Sequence, residues 1–236
     1  MKNEQAQAKS FSQFGEDQLI WEYFGEKADG FFIEVGANHP IELSQTWLLE
    51  QHGWHGLLVE PLPHCCERLR AVRHQSIVCE TAVGAPEEVG EATLYVAAAD
   101  AWSKLGGASR DTPPANAIRV SVQTLESICR EHKVQALDFL SIDVEGMEVS
   151  VLKGFDLATR RPALVLLEDH LETIDLCLYM WSTGYRLAKR SGCNNWWIPA
   201  GAAPPVQSFR EKASLWNRIL FRKPFSKLSR FFAGPP

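Results

Sequence analysis

The strongest constraint on this chain is an alternation of strand-like and helix-like segments that runs almost its whole length. Short apolar runs bounded by Gly or Pro read as strands at Phe31–Val35 (FFIEV), 56–61 (GLLVEP), 76–84 (SIVCETAVG), 137–146 (LDFLSIDVEG) and 162–170 (PALVLLEDH). Segments with helical spacing lie between them, at 44–51, at 63–73 with Pro63 in the first turn, at 125–132 behind a Thr124 cap, and at 147–155 and 171–184. Before the first strand, Leu19, Ile20, Tyr23 and Phe24 recur at helical spacing over 12–25, with Ser12 as the expected cap. The runs at 92–97 and 118–125 flank a long aperiodic loop, and YRLAKR and NNWWIP read as a closing hairpin. This order predicts an α/β fold, a mostly parallel sheet with helices on both faces. Right-handed crossovers then put the strand C-termini on one edge, where such sheets bind ligands.

Four strands reach that edge with an acid: Glu34, Glu60, Asp143 and Glu168. A dinucleotide site puts pyrophosphate on a helix N-terminus and needs glycines with no anion nearby. Here GFFIEVGANHP places Glu34 before Gly36 and sets Asn38, His39 and Pro40 where further glycines would stand. The pattern suits a ligand with a cationic head and no phosphates, and S-adenosylmethionine has that chemistry. Glu60 is placed to accept from both ribose hydroxyls, as the equivalent acid does in dinucleotide folds.

The stretches SQFGEDQLI, FFIEVGAN, GWHGLLVEP and LSIDVEGMEVSVLKGF occur in that order. Together they resemble the FkbM family of S-adenosylmethionine-dependent O-methyltransferases over roughly residues 12–198. The resemblance implies a class I methyltransferase (Rossmann-like) fold, a seven-stranded sheet with the last strand antiparallel. It implies that Glu34, Gly36, Ala37 and Asn38 line the methionine end of the cofactor, with Ala82 and Val83 against adenine. It also implies a hydroxyl acceptor on a sugar, a lipid-linked glycan or a polyketide. Asn38-His39-Pro40 departs from the commoner family loop, which often has Asp-Gly there, and leaves the role of His39 open.

Methyl transfer to a hydroxyl needs alignment at the sulfonium and a group that takes the hydroxyl proton, or a metal that acidifies it. His170 is the expected base, since histidine titrates near neutrality. Glu145 is second, and Asp143 is expected to position cofactor or substrate. Glu148 reads as a helix-face or capping residue. Asp143, Glu168 and Asp169 form an alternative Mg²⁺ ligand set of hard oxygens, a layout similar to that of macrocin-type sugar O-methyltransferases.

Charge divides the chain. The net −5 separates into +6 over residues 207–236 and −11 over residues 1–206. The acidic body argues against nucleic acid as a partner. Residues 1–206 are therefore expected to form the catalytic domain, and 207–236 a basic amphipathic tail suited to an anionic membrane surface. The opening residues show no signal-peptide pattern, and the six cysteines include no CxxC pair, so a cytoplasmic protein with reduced thiols is expected, peripheral at the membrane if the tail binds lipid. The loop at 100–117, with Trp102, Lys104 and Arg110, reads as a substrate cover or a surface insertion. Trp196 and Trp197 are expected in the core. A carbohydrate or glycolipid acceptor is the expected partner, and a homo-oligomer is compatible with the sequence. The competing reading is a methyltransferase-like binding module without catalysis in a glycan-synthesis complex; a nucleotide-sugar oxidoreductase is third, since the glycine fingerprint is missing.

Overall fold

The structure is a computed structural model and describes residues 10–96, 104–105, 116–168, 174–208 and 211. In chain order the elements are α1 (Glu16–Tyr23), β1 (Phe31–Val35), α2 (Trp47–Gln51), β2 (His55–Glu60), α3 (Pro63–Val72), β3 (Ser76–Glu80), β4 (Ala82–Val83), β5 (Gly90–Val96), β6 (Lys104–Leu105) and β7 (Asn116–Gln123). They continue with α4 (Leu125–Glu131), β8 (Phe139–Ile142), α5 (Glu148–Lys153), α6 (Leu157–Arg160), β9 (Leu164–Glu168), α7 (Ile174–Ser182), β10 (Tyr185–Ser191) and β11 (Asn194–Pro199).

Seven strands form the main sheet in the order β10-β11-β9-β8-β1-β2-β3. The pairs from β3 to β9 are parallel, while β11 runs antiparallel to both β9 and β10. This is the expected class I methyltransferase arrangement. Strand order reverses between β1 and β8, so the topological switch point lies at the ends of those two strands.

The strands read as continuous apolar runs because both sheet faces are covered. Ile33, Val35, Leu140, Ile142, Val165, Leu167 and Trp197 belong to one core cluster, and Phe32, Phe139, Leu164, Leu166 and Trp196 to the other. Neighbours in a strand point to opposite faces, so both tryptophans are fully buried, one on each side. Each fully buried Leu, Ile or Phe contributes about 2 kcal/mol from removal of apolar surface.

Three sequence expectations need correction. The run 76–84 is two strands, not one: β3 closes the main sheet, and β4 pairs with β7 in a second sheet of order β4-β7-β5-β6, which the alternation gave no hint of. The first helix starts at Glu16 rather than Ser12, and Gly15 occupies its N-cap with φ 79°. Ser12 still serves that end, because its Oγ accepts from Asp17 N at 3.2 Å and donates to Asp17 Oδ1 at 2.9 Å. The second helix starts at Trp47 rather than Ser44, because Ser44, Gln45 and Thr46 turn their donors toward Glu34.

The long loop falls outside the described residues apart from β6 and the start of β7, so the expectations for Trp102 and Arg110 do too. Most of the tail likewise lies outside. Its beginning docks on β10: Lys189 Nζ donates to Val206 O and to Glu211 Oε1, both at 3.3 Å. All six cysteines are free, and all but Cys193 are buried. Among the described residues no helix is long and apolar enough to cross a membrane.

Candidate active site

The cleft opens at the switch point. β1 and β8 end side by side, pinned by Asp143 N donating to Val35 O at 3.0 Å. Gly36 turns the chain there with φ 84°, and a Cβ at that position would stand 1.9 Å from the Asp143 carbonyl oxygen. Only glycine allows this approach, so the sequence signal at Gly36 has a steric cause.

The cleft holds about 1180 Å³ including its open mouth. The sequence-derived candidates Glu34, Gly36, Ala37, Asn38, Glu60, Ala82, Val83, Asp143 and Glu145 all line it. Glu60 ends β2 and is almost fully buried; its two oxygens accept from Asn38 N and Leu62 N, each at 2.9 Å. Beside it, Ala82, Val83, Leu62 and Leu94 make an apolar wall.

Glu34 lines the same cleft but is largely engaged inside the fold. Its carboxylate accepts from Thr46 Oγ1 at 2.5 Å, Gln45 N at 2.9 Å and Ser44 Oγ at 3.2 Å. Behind it, fully buried Arg73 lies 3.9 Å away. Arg73 donates to Glu50 Oε2 at 2.7 Å, Thr46 Oγ1 at 2.8 Å, and Pro40 O and Ser44 Oγ at 3.3 Å. A buried cation is tolerable only with such partners. Glu34 therefore organises the 36–46 loop.

The turn after β8 runs through two left-handed residues, Glu145 (φ 54°) and Gly146 (φ 96°). A non-glycine residue there is held by its surroundings. Glu148, as expected of a capping residue, accepts from Gly146 N at 3.0 Å and Val144 N at 3.4 Å. Its own carboxyl is shifted upward, first by burial.

Carboxylate oxygens of Asp143, Glu145 and Glu168 lie within 4.8 Å of one another. Asp143 is exposed at the cleft surface, with the acids Glu145 and Glu168 close beside its carboxyl. Burial first, then a hydrogen bond with Glu168 and the charges of Glu168, Glu145 and Glu148, hold it well above the usual carboxylate range. Three negative charges this close need a shared proton or a cation. Cys193 joins the cluster from the β10–β11 turn. Burial and a hydrogen bond to Glu168 push its thiol up to about 12, so it acts as a donor.

Of the expected metal set, Asp143 and Glu168 meet, while Asp169 lies outside the described residues, as does His170. The sequence reading missed Gln45, Asn194 and Cys193. Asn194 lines the cleft, pairs with Glu168 across β11 and β9, and donates from Nδ2 to Glu16 Oε1 at 2.8 Å. No local signal could reveal it, because the antiparallel last strand alone brings it there.

No curated protein was found to match the chain. A solved structure similar to this one is the precorrin-6y C5,15-methyltransferase from Geobacter metallireducens GS-15, at 11% identity and TM-score 0.39, covering 81% of this chain and 90% of that one. A likeness that distant carries no argument about chemistry. The family comparison is of a different kind: residues 34–187, well over half of the chain, match the methyltransferase FkbM domain, from the end of β1 into β10. With the switch-point cleft and its acids in place, the chain belongs to the FkbM methyltransferase family.

Proposed function

We propose that this methyltransferase uses S-adenosylmethionine and methylates a hydroxyl of a carbohydrate, either a glycan or a lipid-linked sugar. The observation that carries the reading is the charge of the cleft. Glu34, Glu42, Glu60, Asp143 and Glu145 line it, and no lysine or arginine is among its described lining residues. Such a cleft favours a sulfonium and an ammonium and disfavours a pyrophosphate. The residues also fit the rest of the donor: Gly36 keeps the turn open, Glu60 sits where a ribose diol would donate, and the Leu62–Val83 wall offers adenine a flat apolar face.

The bound donor would supply a methyl group on positively charged sulfur, which needs alignment more than activation. The chain's own task is to hold the acceptor and take its proton. An ionised member of the Asp143–Glu145–Glu168 cluster can receive that proton, and the Cys193 thiol fixes the orientation of Glu168. His170, the base expected from sequence, follows Glu168 by two residues and remains a candidate for the same role. A cluster rich in acceptors suits a ligand rich in donors, and neighbouring sugar hydroxyls are such a ligand.

A second reading keeps the reaction and adds a metal. The three clustered oxygens are hard donors of the kind Mg²⁺ takes, and an ion held there by Asp143, Glu145 and Glu168 would acidify the acceptor hydroxyl.

Calorimetry with S-adenosylmethionine, combined with labelled methyl transfer to a panel of sugar acceptors in Mg²⁺ or EDTA, tests both readings. The expected result is donor binding and transfer to a hydroxyl. Glu168→Gln, outside the cleft lining, should lower kcat about 100-fold while the donor Kd stays within about twofold. A chain that ignores the donor but binds a pyrophosphate nucleotide would end the proposal. Transfer unaffected by EDTA would end its metal form.

A further inference from the structure

The acidic cleft leaves one part of the donor without a partner. S-adenosylmethionine carries a carboxylate beside its ammonium and sulfonium, and no lysine or arginine is among the described lining residues. Nor does the first turn offer the amides of Gly36, Ala37 or Asn38. Gly36 N and Ala37 N both donate to Val59 O, at 2.9 and 3.3 Å, and Asn38 N donates to Glu60 Oε2 at 2.9 Å. Leu43 N donates to Phe11 O at 2.8 Å, and Gln45 N to Glu34 Oε1 at 2.9 Å. These engaged amides do not form the cradle that holds a nucleotide phosphate.

His39 breaks the pattern. Its Nδ1 accepts from Ile41 N at 3.2 Å and from Glu42 N at 2.8 Å. Two amide donors on one ring nitrogen fix the tautomer, so the ring proton of neutral His39 sits on Nε2. That edge of the ring faces away from the loop backbone, and the residue lines the cleft. The turn thus builds a hydrogen-bond donor into a wall of acceptors. A second, independent irregularity stands nearby. Gln45 also lines the cleft, and its Oε1 is buried without a hydrogen-bond partner. An orphaned buried acceptor is costly unless a ligand supplies the missing donor.

We propose that His39 and Gln45 read the amino-acid end of the methyl donor: His39 Nε2–H holds the carboxylate, and Gln45 Oε1 accepts from the ammonium. The assignment rests on the reading of the cleft as a donor site. It moves recognition of the methionine end from Glu34, whose carboxylate is engaged by Ser44, Gln45 and Thr46, to two side chains that the turn leaves facing the ligand.

Calorimetry on the full chain with two probes decides the matter. S-adenosylmethionine and its decarboxylated analogue share adenosine, sulfonium and ammonium, and differ in the carboxylate. The wild type should prefer S-adenosylmethionine about tenfold, the size of one charge-assisted hydrogen bond. In His39→Asn the shorter amide can still accept from the Ile41 and Glu42 amides but lacks the distal donor. It should bind S-adenosylmethionine about tenfold more weakly and the analogue as before. His39→Gln, whose amide reaches the Nε2 position, should restore part of the preference, and it carries the test if His39→Asn fails to fold. Gln45→Ala should weaken both probes by the same factor, since both keep the ammonium. A His39→Asn protein that retains the wild-type preference, or loses the same factor for both probes, overturns the role of His39. An unchanged Gln45→Ala overturns that of Gln45. A wild type that binds neither probe removes the donor reading itself, and this assignment with it.

Discussion

Gly36 and Asp143 meet where two strands end, and their contact sets the residue-scale chemistry. Gly36→Ala would press a methyl against the Asp143 carbonyl and force alanine to adopt φ 84°. Urea denaturation should show a loss of about 2 kcal/mol or more, with donor binding abolished. Cys193 reports on the acids beside it. It is the least buried of the six cysteines, yet at about 12 its pKa leaves on the order of one thiolate in ten thousand at pH 8. Iodoacetamide should therefore label it slowly. Glu168→Gln removes the negative charge that opposes the thiolate and the carboxylate that accepts from the thiol, lowers the thiol pKa and should speed labelling severalfold; mass spectrometry of the modified peptide checks this. Glu34, Gly36, Glu60 and Asp143 were legible because each ends a strand whose limits are set by its own neighbours. Gln45, Asn194 and Cys193 were not, because they reach the cleft from a loop and a hairpin that local pattern cannot place.

Elements are locked together by a few buried charges. Arg73, at the end of α3, ties the 40–46 loop to α2 through Glu50, Thr46 and Ser44. Arg73→Ala strands Glu34 and Glu50 in a buried site and should cost about 3–5 kcal/mol in urea denaturation. A second lock joins α4 to α6, where Arg160 Nη2 donates to Glu126 Oε1 at 2.9 Å. That hydrogen bond holds the Glu126 carboxyl below its ordinary range. A carboxyl depressed by folding stabilises the fold above its unfolded pKa, and the contribution fades as pH falls through the folded value. Glu126→Gln should therefore lose about 1 kcal/mol at pH 7, with its stability converging on that of the wild type in acid. Strand and helix identities in this region were legible from apolar periodicity. The breaks at Ser44 and Thr81 were not: at the first, side chains compete for the backbone's partners, and after the second, β4 leaves for another sheet.

At the scale of the whole molecule, the basic tail poses the open question, and its docked beginning shapes the test. Lys189 is almost fully buried and meets Glu211, so a truncation should retain Glu211. Beyond it stand Lys212, Arg218, Arg222, Lys223, Lys227 and Arg230 with no acid. At about 1 kcal/mol per basic residue near anionic headgroups, the full chain should co-sediment with phosphatidylserine vesicles and a chain ending at 211 should not. Equal sedimentation of the two would remove the membrane reading. The sequence by itself determined the layers, the sheet's parallel character and the row of acids on one edge, since strand period, helix period and turn residues are local properties. The tertiary structure alone decided which acids cluster, which one braces a loop, and that a cleft-lining histidine takes two loop amides on its Nδ1. Those outcomes depend on distances of a few ångströms between residues far apart in the chain, and on competition among donors for a limited set of acceptors.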